Sequence, residues 1–284
     1  MNKQITKSIK SIAVYCVNVM RKSAKGRAVL DLMTSRIIEN YTDVDHNAIK
    51  LRLAAPNYLC EWRNKTFSTK EPETLEWIDK IPEGSNLWDI GANVGLYSVY
   101  AARKRKCKVW AFEPSVFNLE LLARNIFLND VTQDVCIIPL PLSNQAGPSH
   151  MRITTMEWGG SLSTFGPNIG YDGNEMNQVF DFQTFGLTMD DVKIKFLIPT
   201  PDYIKMDVDG IEHLILQGGT NILKEIKGIL IEVNDDFHEQ ANQCSATLLQ
   251  AGLLLKEKIS ADDSDLAKFS KQQIFNQIWV REDA

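Results

Sequence analysis

The sequence predicts an α/β fold, with a doubly wound and mostly parallel sheet, a helical extension before it and an antiparallel hairpin at its C-terminal edge. Two observations carry this prediction. Short apolar runs alternate with helix-forming segments from about residue 70 onward, and such alternation produces a parallel sheet covered by helices on both faces. The 284 residues are 44% hydrophobic and 24% charged, which suits a large core and excludes disordered, collagen-like and coiled-coil chains.

Residues 1–65 are predicted to form a basic helical extension, and residues 66–284 the α/β domain. Apolar residues recur at helical spacing between Ile5 and Met20, and residues 28–40 predict a second helix. No apolar run approaches the ~18 residues of a membrane span. No clean cleavage site marks a signal peptide. The five scattered cysteines indicate a reducing compartment, and we expect a cytoplasmic location.

Charge is distributed unevenly between the two parts. Residues 1–70 carry 13 Lys and Arg against 5 Asp and Glu, a net charge of +8, whereas the rest of the chain carries −13. The first 30 residues hold seven bases and no acid. A basic end indicates an anionic partner. We expect helix packing or a homo-oligomer first, and peripheral contact of residues 1–30 with the inner membrane surface second. The sequence indicates no nucleic-acid partner.

The elements of the α/β domain follow in order. Pro72 and Pro82 frame a helix over residues 73–81. Strands are predicted at residues 86–90, 108–112, 134–142, 203–208 and 228–233. Helices are predicted at residues 96–104, 115–129, 187–197, 211–224 and 236–251. Two later β-like runs, 253–259 and 274–280, predict the closing hairpin. The Gly- and Ser-rich residues 143–186 predict a loop excursion that lies over the acceptor.

The strongest local signal is the segment DIGANVG, residues 89–95, between the first strand and its helix. Gly91 allows close backbone approach, and Asn93 tolerates a left-handed backbone. Glu113 follows the second strand, 22 residues after Gly91, where a carboxylate can accept both hydroxyls of a ribose. A dinucleotide site would need glycines where Asn93 and Leu96 stand. The pattern therefore favours S-adenosylmethionine over a nicotinamide cofactor.

The chain also resembles the FkbM-type methyltransferases of the Rossmann-like, class I S-adenosylmethionine-dependent fold. The resemblance spans about residues 65–235 and is carried by KEPETLEWID, WDIGANVGLYSVYAA, VWAFEPSVFNLELLARNI, IIPLPLS, GGSLSTF, YIKMDVDGIEHLILQGG and ILIEV. It implies a cofactor-binding set by position: Asp89, Gly91, Asn93 and Gly95 at the methionine end, Glu113 and Pro114 at the ribose, Leu142 and Ser143 at the adenine, and Lys70 with Glu71 closing over the methionine end.

The candidate catalytic residues lie at the ends of the fourth and fifth strands, where ligands of doubly wound sheets bind. They are Lys205, Asp207, Glu212, His213 and Glu232. A hydroxyl acceptor must lose its proton, which one of these groups or His238 could take. If a metal is present, Asp207, Asp209 and Glu232 are its candidate ligands. Oxygen ligands suit Mg²⁺ or Mn²⁺, although no spacing demands a metal.

The resemblance implies an O-methyltransferase that uses S-adenosylmethionine to methylate a hydroxyl of a sugar, nucleotide-sugar or glycoconjugate, as in polysaccharide biosynthesis. The acceptor class rests on the resemblance, whereas the cofactor rests on the loop and Glu113. Two alternatives stay open at this point. One is a nicotinamide-dependent oxidoreductase, and the other is a module that binds S-adenosylmethionine without catalysis.

Overall fold

The computed structural model describes residues 3–260 and 273–282, with side chains from residue 8 onward. The first elements are α1 (Lys3–Met20), α2 (Ala24–Ile38), β1 (Tyr41–His46), β2 (Ile49–Ala54), α3 (Tyr58–Lys65), α4 (Phe67–Lys70) and α5 (Pro72–Lys80). The following elements are β3 (Asn86–Ile90), α6 (Leu96–Arg105), β4 (Lys108–Phe112), α7 (Val116–Leu128), β5 (Val135–Ile138), β6 (Gly147–Ile153), β7 (Ser163–Phe165) and β8 (Phe180–Gly186). The last are α8 (Met189–Phe196), β9 (Tyr203–Met206), α9 (Glu212–Gln217), α10 (Thr220–Leu223), β10 (Gly228–Asn234), α11 (His238–Gln250), β11 (Leu254–Ser260) and β12 (Ile274–Val280).

The predicted sheet and its closing hairpin are confirmed. Seven strands lie in the order β11-β12-β10-β9-β3-β4-β5. The five strands from β10 to β5 are parallel, and β12 pairs antiparallel with both β10 and β11. The order reverses between β3 and β9, which is the switch point where doubly wound sheets bind ligands at their carboxyl ends.

Side chains alternate between two cores, one on each face of the sheet. Trp88 and Met206 belong to one buried cluster, and Leu87 and Val109 belong to the other. This alternation follows from the two-residue period of a strand. None of the described helices is long and apolar enough to cross a membrane.

Two predicted elements are shorter than expected. The third strand ends at Ile138, because Pro139 and Pro141 have no N–H to donate to a neighbouring strand. The helix predicted over residues 211–224 divides into α9 and α10. A Cβ on Gly218, at the division, would lie 2.2 Å from the carbonyl oxygen of Ser143.

Residues 41–65 are not purely helical, which differs from the predicted helical extension. Strands β1 and β2 form a hairpin whose turn places Asn47 and Ala48 at φ values of 45° and 65°. Leu51 and Leu53 of this hairpin are buried in the core beside the sheet. The predicted domain boundary after residue 65 is therefore crossed by shared packing, and its position stays a prediction.

The excursion at residues 143–186 also contains regular structure. Its strands form a three-stranded antiparallel sheet in the order β7-β6-β8. Predicting these strands from local pattern is difficult, because β8 pairs with β6 across about 30 intervening residues. The small sheet positions the segment at residues 158–163 above the carboxyl ends of the large one, as shown by the contacts below.

Candidate active site

The turn after β3 approaches the end of β9 very closely. Gly91 has φ +82°, and a Cβ at this position would lie 1.8 Å from the carbonyl oxygen of Asp207. The N–H groups of Gly91 and Ala92 both donate to the carbonyl oxygen of Phe112, each at 3.0 Å. The turn is thus fixed between the ends of β4 and β9, and glycine is required where the backbones meet.

The next residues of the turn connect it to neighbouring segments. Asn93 has φ +50°, as its predicted tolerance of a left-handed backbone requires. Its side-chain Nδ2 donates to the carbonyl oxygen of Gly160 at 2.9 Å. Gly95 has φ +80°, and a Cβ there would lie 2.2 Å from Leu122. Asn93 therefore connects the turn to the segment above it, while Gly95 lets the following helix pack on α7.

Glu113 lies at the end of β4 and is only 4% exposed. Its carboxylate accepts hydrogen bonds from the N–H groups of Asn93 at 2.8 Å and Ser115 at 2.7 Å. Burial raises the pKa of Glu113 to about 7, although these hydrogen bonds favour ionisation and oppose the rise. The carboxylate is therefore held in one orientation at the edge of a cavity.

That first cavity encloses about 540 Å³. Its walls include Gly91, Asn93, Glu113, Pro114 and Leu142, all of them predicted cofactor residues. Its other lining residues include Phe112, Asn118, Leu140, Met151, Ser161, Ser163, Phe165, Asp207 and Asp209. Acidic and amide groups near the turn and apolar walls farther away suit a ribose and an adenine ring.

The other predicted cofactor residues do not line the first cavity: Asp89, Gly95, Ser143, Lys70 and Glu71. Asp89 is 1% exposed, accepts from Ser98 Oγ at 2.6 Å and lines neither cavity described here. Ser143 is buried beside the first cavity, and its N–H donates to the carbonyl oxygen of Leu187 at 2.9 Å. Glu71 is 5% exposed and lines a second cavity. Asp89 and Ser143 thus support the turn and the cavity wall from behind.

The second cavity encloses about 1060 Å³ and adjoins the first. Both cavities are lined by Gly91, Asn93, Ser161, Asp207 and Asp209. The second is lined further by Arg63, Thr66, Phe67, Lys70, Glu71, Tyr97, Tyr171, Lys205 and Glu232. A ligand in the first cavity and a second molecule in the second cavity would therefore lie next to each other at Asp207.

Asp207 and Lys205 form a charged pair at this junction. Lys205 Nζ lies 3.4 Å from Asp207 Oδ2 and 3.7 Å from Asp89 Oδ1, and it is 3% exposed. The Asp207 side chain is 31% exposed. Burial opposes ionisation of Asp207, but the positive charges of Lys205 and Lys70 outweigh it and lower the pKa. Asp207 is therefore an ionised carboxylate facing both cavities.

Glu232 differs from Asp207 in the direction in which its pKa is shifted. Burial raises its pKa well above the ordinary value, and the negative charges of Asp207, Glu71 and Asp209 raise it further. Such a carboxyl group has a greater affinity for protons than an ordinary glutamate. The end of β10 thus supplies the second cavity with a carboxyl group that binds a proton more tightly than the neighbouring Asp207 does.

Glu71 forms a small network at the other side of the second cavity. Its carboxylate contacts Lys70 Nζ at 2.5 Å and accepts from the Tyr97 hydroxyl at 2.9 Å. The Tyr97 ring in turn lies 5.2 Å from Lys205 Nζ. Glu71 is thereby held in one position at the wall of the second cavity.

Asp209 anchors the segment that lies over the junction. Its Oδ2 accepts from the N–H groups of Leu162 at 2.7 Å and Ser163 at 3.4 Å. Burial and the nearby charge of Asp207 raise its pKa to about 6.

Among the described residues, no three His, Cys, Asp or Glu side chains are arranged to hold a metal ion. The candidate ligand set of Asp207, Asp209 and Glu232 does not fit a metal here, since backbone N–H groups bind Asp209 and Lys205 pairs with Asp207.

Glu212 and His213 lie behind the walls of the two cavities. Glu212 is 1% exposed and accepts from the N–H groups of Val208 and Gly210, each at 3.1 Å, and from Gln240. His213 is 3% exposed and packs edge-on against Phe237. Neither of these predicted catalytic residues lines either cavity, and their catalytic role stays a prediction. Glu212 holds the turn that carries Asp207.

Several lining residues could not have been identified from the motifs. Arg63 belongs to the predicted extension, yet it lines the second cavity and donates from Nε to the Gly159 carbonyl at 2.9 Å. Asn118 donates to the Gly160 carbonyl at 3.0 Å. Tyr171, from the excursion at residues 143–186, also lines the second cavity. No spacing along the chain links these residues to the glycine turn.

The family model for the methyltransferase FkbM domain matches residues 89–256, more than half of the chain. This chain belongs to the FkbM methyltransferase family. The predicted family is thus confirmed, and the nicotinamide-dependent oxidoreductase is set aside. The match begins at Asp89 and includes the turn, Glu113 and the ends of β9 and β10.

Two curated relatives are methyltransferases. Hexuronic acid methyltransferase AglP of Haloferax volcanii is 23% identical over 175 residues, which cover 61% of this chain and 66% of that protein. Methyltransferase sdnD of Sordaria araneosa is 39% identical over 71 residues, 25% of this chain and 27% of that protein. The chain thus spans less than two thirds of the length of either relative.

Solved structures are similar at low identity. A transferase of Pyrococcus horikoshii is 14% identical with a TM-score of 0.48, covering 85% of this chain and 72% of that one. The TYW2 protein of M. jannaschii, in complex with AdoMet, is 14% identical with a TM-score of 0.44, covering 86% of this chain and 87% of that one.

Proposed function

We propose that this FkbM-family protein is an O-methyltransferase that uses S-adenosylmethionine to methylate a hydroxyl group of a sugar or glycoconjugate. The observation that carries the proposal is the junction of the two cavities at Asp207, with the proton-accepting Glu232 in the second one. The first cavity is shaped for a nucleoside, and the second supplies the groups that a hydroxyl acceptor needs.

The first cavity supports S-adenosylmethionine as the methyl donor. Glu113 is buried and oriented by two backbone N–H groups, so it can accept hydrogen bonds from ribose hydroxyls. Gly91 lets the turn approach the end of β9, and Asn93 continues the turn with a left-handed backbone. When bound, S-adenosylmethionine supplies a methyl group that is already activated on a sulfonium, so alignment with the acceptor is a large part of catalysis.

In the second cavity, Glu232 would accept the proton of the acceptor hydroxyl. Its raised pKa means that its ionised form binds a proton more tightly than the carboxylate of an ordinary glutamate, which favours proton transfer from the hydroxyl. Asp207, kept ionised by Lys205, would accept a hydrogen bond from the acceptor and orient it. Lys205 holds Asp207 in place through the buried pair.

The sugar class of acceptor is supported by the lining of the second cavity and by one relative. Charged side chains there alternate with the rings of Phe67, Tyr97 and Tyr171, and this mixture suits a polar ring with apolar faces. The relative AglP acts on a hexuronic acid by its name. Sugars and their acidic derivatives are thus the first acceptors to test.

Mass spectrometry of a panel of neutral sugars, uronic acids and nucleotide-sugars should reveal a product heavier by one CH₂, with and without EDTA. Asp207→Asn and Glu232→Gln should each lower turnover by about 10²-fold or more, while S-adenosylmethionine affinity changes by less than about threefold. Exposed Asp45→Asn and Glu76→Gln serve as matched controls and should leave turnover unchanged.

Three results would contradict the proposal. S-adenosylmethionine that fails to bind in calorimetry would remove the cofactor assignment. Tight binding without transfer to any hydroxyl of the panel would favour the non-catalytic module instead. Unchanged turnover in both active-site variants would show that Asp207 and Glu232 are not the catalytic pair.

A further inference from the structure

The two N-terminal helices expose a large apolar surface. None of residues 8–38 is buried. Side chains that are between 47% and 69% exposed comprise Ile9, Ile12, Val14, Tyr15, Val19, Val29, Leu32, Met33 and Ile37. Single exposed apolar residues are ordinary, but a dense group of this kind marks an interaction surface.

Helix α1 places four apolar residues in one stripe and Lys10 on the other side. At about 100° per residue, Ile9, Ile12, Cys16 and Val19 fall within one narrow stripe, and Lys10 falls on the far side. Ile12 is 63% and Ile9 55% exposed. An amphipathic helix of this type lies in an interface, with its apolar stripe on one side and its charges on the other.

A tight corner joins α1 to α2. The N–H of Gly26 donates to Ser23 Oγ at 3.0 Å, and Arg27 Nη1 donates to the Arg21 carbonyl at 3.0 Å. A Cβ on Gly26 would lie 2.1 Å from the Met20 carbonyl oxygen, so the chain passes itself closely here. The second helix adds further exposed apolar side chains, among them Leu32 and Met33. The two helices thus form one unit.

Charge identifies what covers this surface. The first 30 residues hold seven Lys and Arg and no acid. A second copy of these helices would bring the same positive charge, which repels, whereas an anionic lipid headgroup attracts each base. We propose that residues 3–38 bind an anionic membrane surface, with the α1 stripe inserted among the lipids and the bases at the headgroups.

This surface is separate from the methyl-transfer cavities, none of whose described lining residues comes from residues 3–38. Its loss should therefore release the protein from lipid without reducing turnover on a water-soluble acceptor. If the methyl-transfer proposal failed, lipid binding would be unaffected. If the protein did not bind lipid, the methyl-transfer proposal would likewise be unaffected.

Co-sedimentation of the full chain with vesicles tests the proposal. Vesicles of phosphatidylglycerol mixed with phosphatidylcholine should bind the protein, and pure phosphatidylcholine vesicles should bind it much less. Binding should weaken when salt rises from about 0.1 M to about 1 M, because the Debye length shortens from ~10 Å to ~3 Å.

Matched variants separate the apolar stripe from the charge. Ile12→Gln should lower the partition coefficient about tenfold, and Lys10→Gln should lower it about fivefold on anionic vesicles alone. Val14→Gln is the control, since Val14 is 53% exposed but lies on the opposite side of α1, and it should change binding by less than about twofold. Circular dichroism of each variant checks that the helices remain folded.

Three outcomes would overturn the proposal. The first is equal binding to neutral and anionic vesicles, and the second is no binding to either. The third is a wild-type dimer in light scattering that Ile12→Gln converts to a monomer, with no vesicle binding. That result would mean that a second copy covers the stripe.

Discussion

At the scale of single residues, the site depends on one close backbone contact. Gly91 and the carbonyl of Asp207 meet so closely that a Cβ would lie at 1.8 Å. The same carbonyl belongs to the residue whose carboxylate faces both cavities. The geometry of the turn proposed to bind the cofactor and the position of the acid proposed to bind the acceptor are thus set by the same contact.

Gly91→Ala should abolish S-adenosylmethionine binding, because either the turn or the end of β9 must move by more than an ångström. Gly84→Ala is the matched control: Gly84 has φ +80°, like Gly91 at +82°, but a Cβ on it would have no neighbour within 4 Å. Calorimetry should show no binding for Gly91→Ala and nearly normal affinity for Gly84→Ala. Equal affinity in both variants would show that the contact has no role in the site.

Glu113 should make cofactor affinity depend on pH. Its pKa is raised to about 7 by burial, and the ionised carboxylate is the form that accepts ribose hydrogen bonds. Affinity for S-adenosylmethionine should therefore fall as pH drops through 7, by up to about tenfold per unit. Calorimetry between pH 5.5 and 8.5 measures this.

Glu113→Gln should bind the cofactor more weakly and lose that part of the pH dependence which is due to this carboxyl. Titration of groups on the ligand itself changes the affinity of both proteins equally, so it cancels when the variant is compared with the wild type. A variant with the full wild-type slope would assign the dependence to another group, such as Asp209, whose pKa is raised to about 6.

Residues of the site differ in how well sequence predicts them. Gly91, Asn93 and Glu113 follow from backbone requirements at strand ends, which recur at fixed places along a parallel sheet. Arg63 and Asn118 depend on how α3 and α7 pack around the Gly159–Gly160 carbonyls. That packing is tertiary and leaves no periodic trace in the chain. Glu212 was predicted at the right turn, but only burial distinguishes a supporting acid from a reacting one.

At the scale of elements, the turn from β9 to α9 is held by Glu212. Its carboxylate accepts from Val208, Gly210 and Gln240, and Gln240 also accepts from the Asn234 N–H at 2.9 Å. These bonds connect the ends of β9 and β10, which carry Asp207 and Glu232. One buried acid thus fixes the relative position of the two proposed catalytic groups.

Glu212→Ala should lower the free energy of unfolding by about 1–3 kcal/mol at pH 5, because buried donors lose their acceptor. Burial raises the pKa of Glu212 to about 7, so its contribution to stability is present at low pH and is lost as pH rises toward 7. The difference from wild type should narrow at pH 8. Urea unfolding at both pH values measures this, with exposed Glu239→Ala as control.

A different result would restore the catalytic role that the sequence predicted. If Glu212→Ala were as stable as Glu239→Ala and bound the cofactor normally, yet had no turnover, Glu212 would act on the reaction itself. The unfolding curve and the turnover assay together distinguish a structural role of Glu212 from a catalytic one.

Elements buried on both faces were predictable, and those paired across long loops were not. Strands β3 and β4 lie at their predicted residues, since continuous apolar runs of this length suit a buried parallel strand. The β1–β2 hairpin escaped prediction because its turn contains Ala48 at φ +65°, where pattern recognition expects glycine. Charged residues Asp43 and Asp45 on β1 further obscured the strand.

At the scale of the whole molecule, distant segments of the chain complete the core. Asn276 of the closing hairpin donates to Glu73 of α5 at 2.6 Å, and both are buried. Asn125 of α7 accepts from the Ala54 N–H of β2 at 2.7 Å. The sheet domain is therefore closed by the β11–β12 hairpin at one edge and by the β1–β2 hairpin beside α7. The charge division after residue 70 does not coincide with a division in packing.

Two truncations should separate the surface helices from the folding unit. Removal of residues 1–40 deletes α1 and α2, and none of residues 8–40 is buried, so the remaining chain should keep its stability within about 1 kcal/mol. Removal of residues 1–65 also deletes the buried Leu51, Leu53 and Cys60. Loss of several core side chains should cost more than about 5 kcal/mol, enough to unfold a domain of ordinary stability.

Thermal unfolding and S-adenosylmethionine calorimetry measure the effects of both truncations. A chain of residues 66–284 that unfolds cooperatively and binds the cofactor would instead establish the predicted boundary after residue 65.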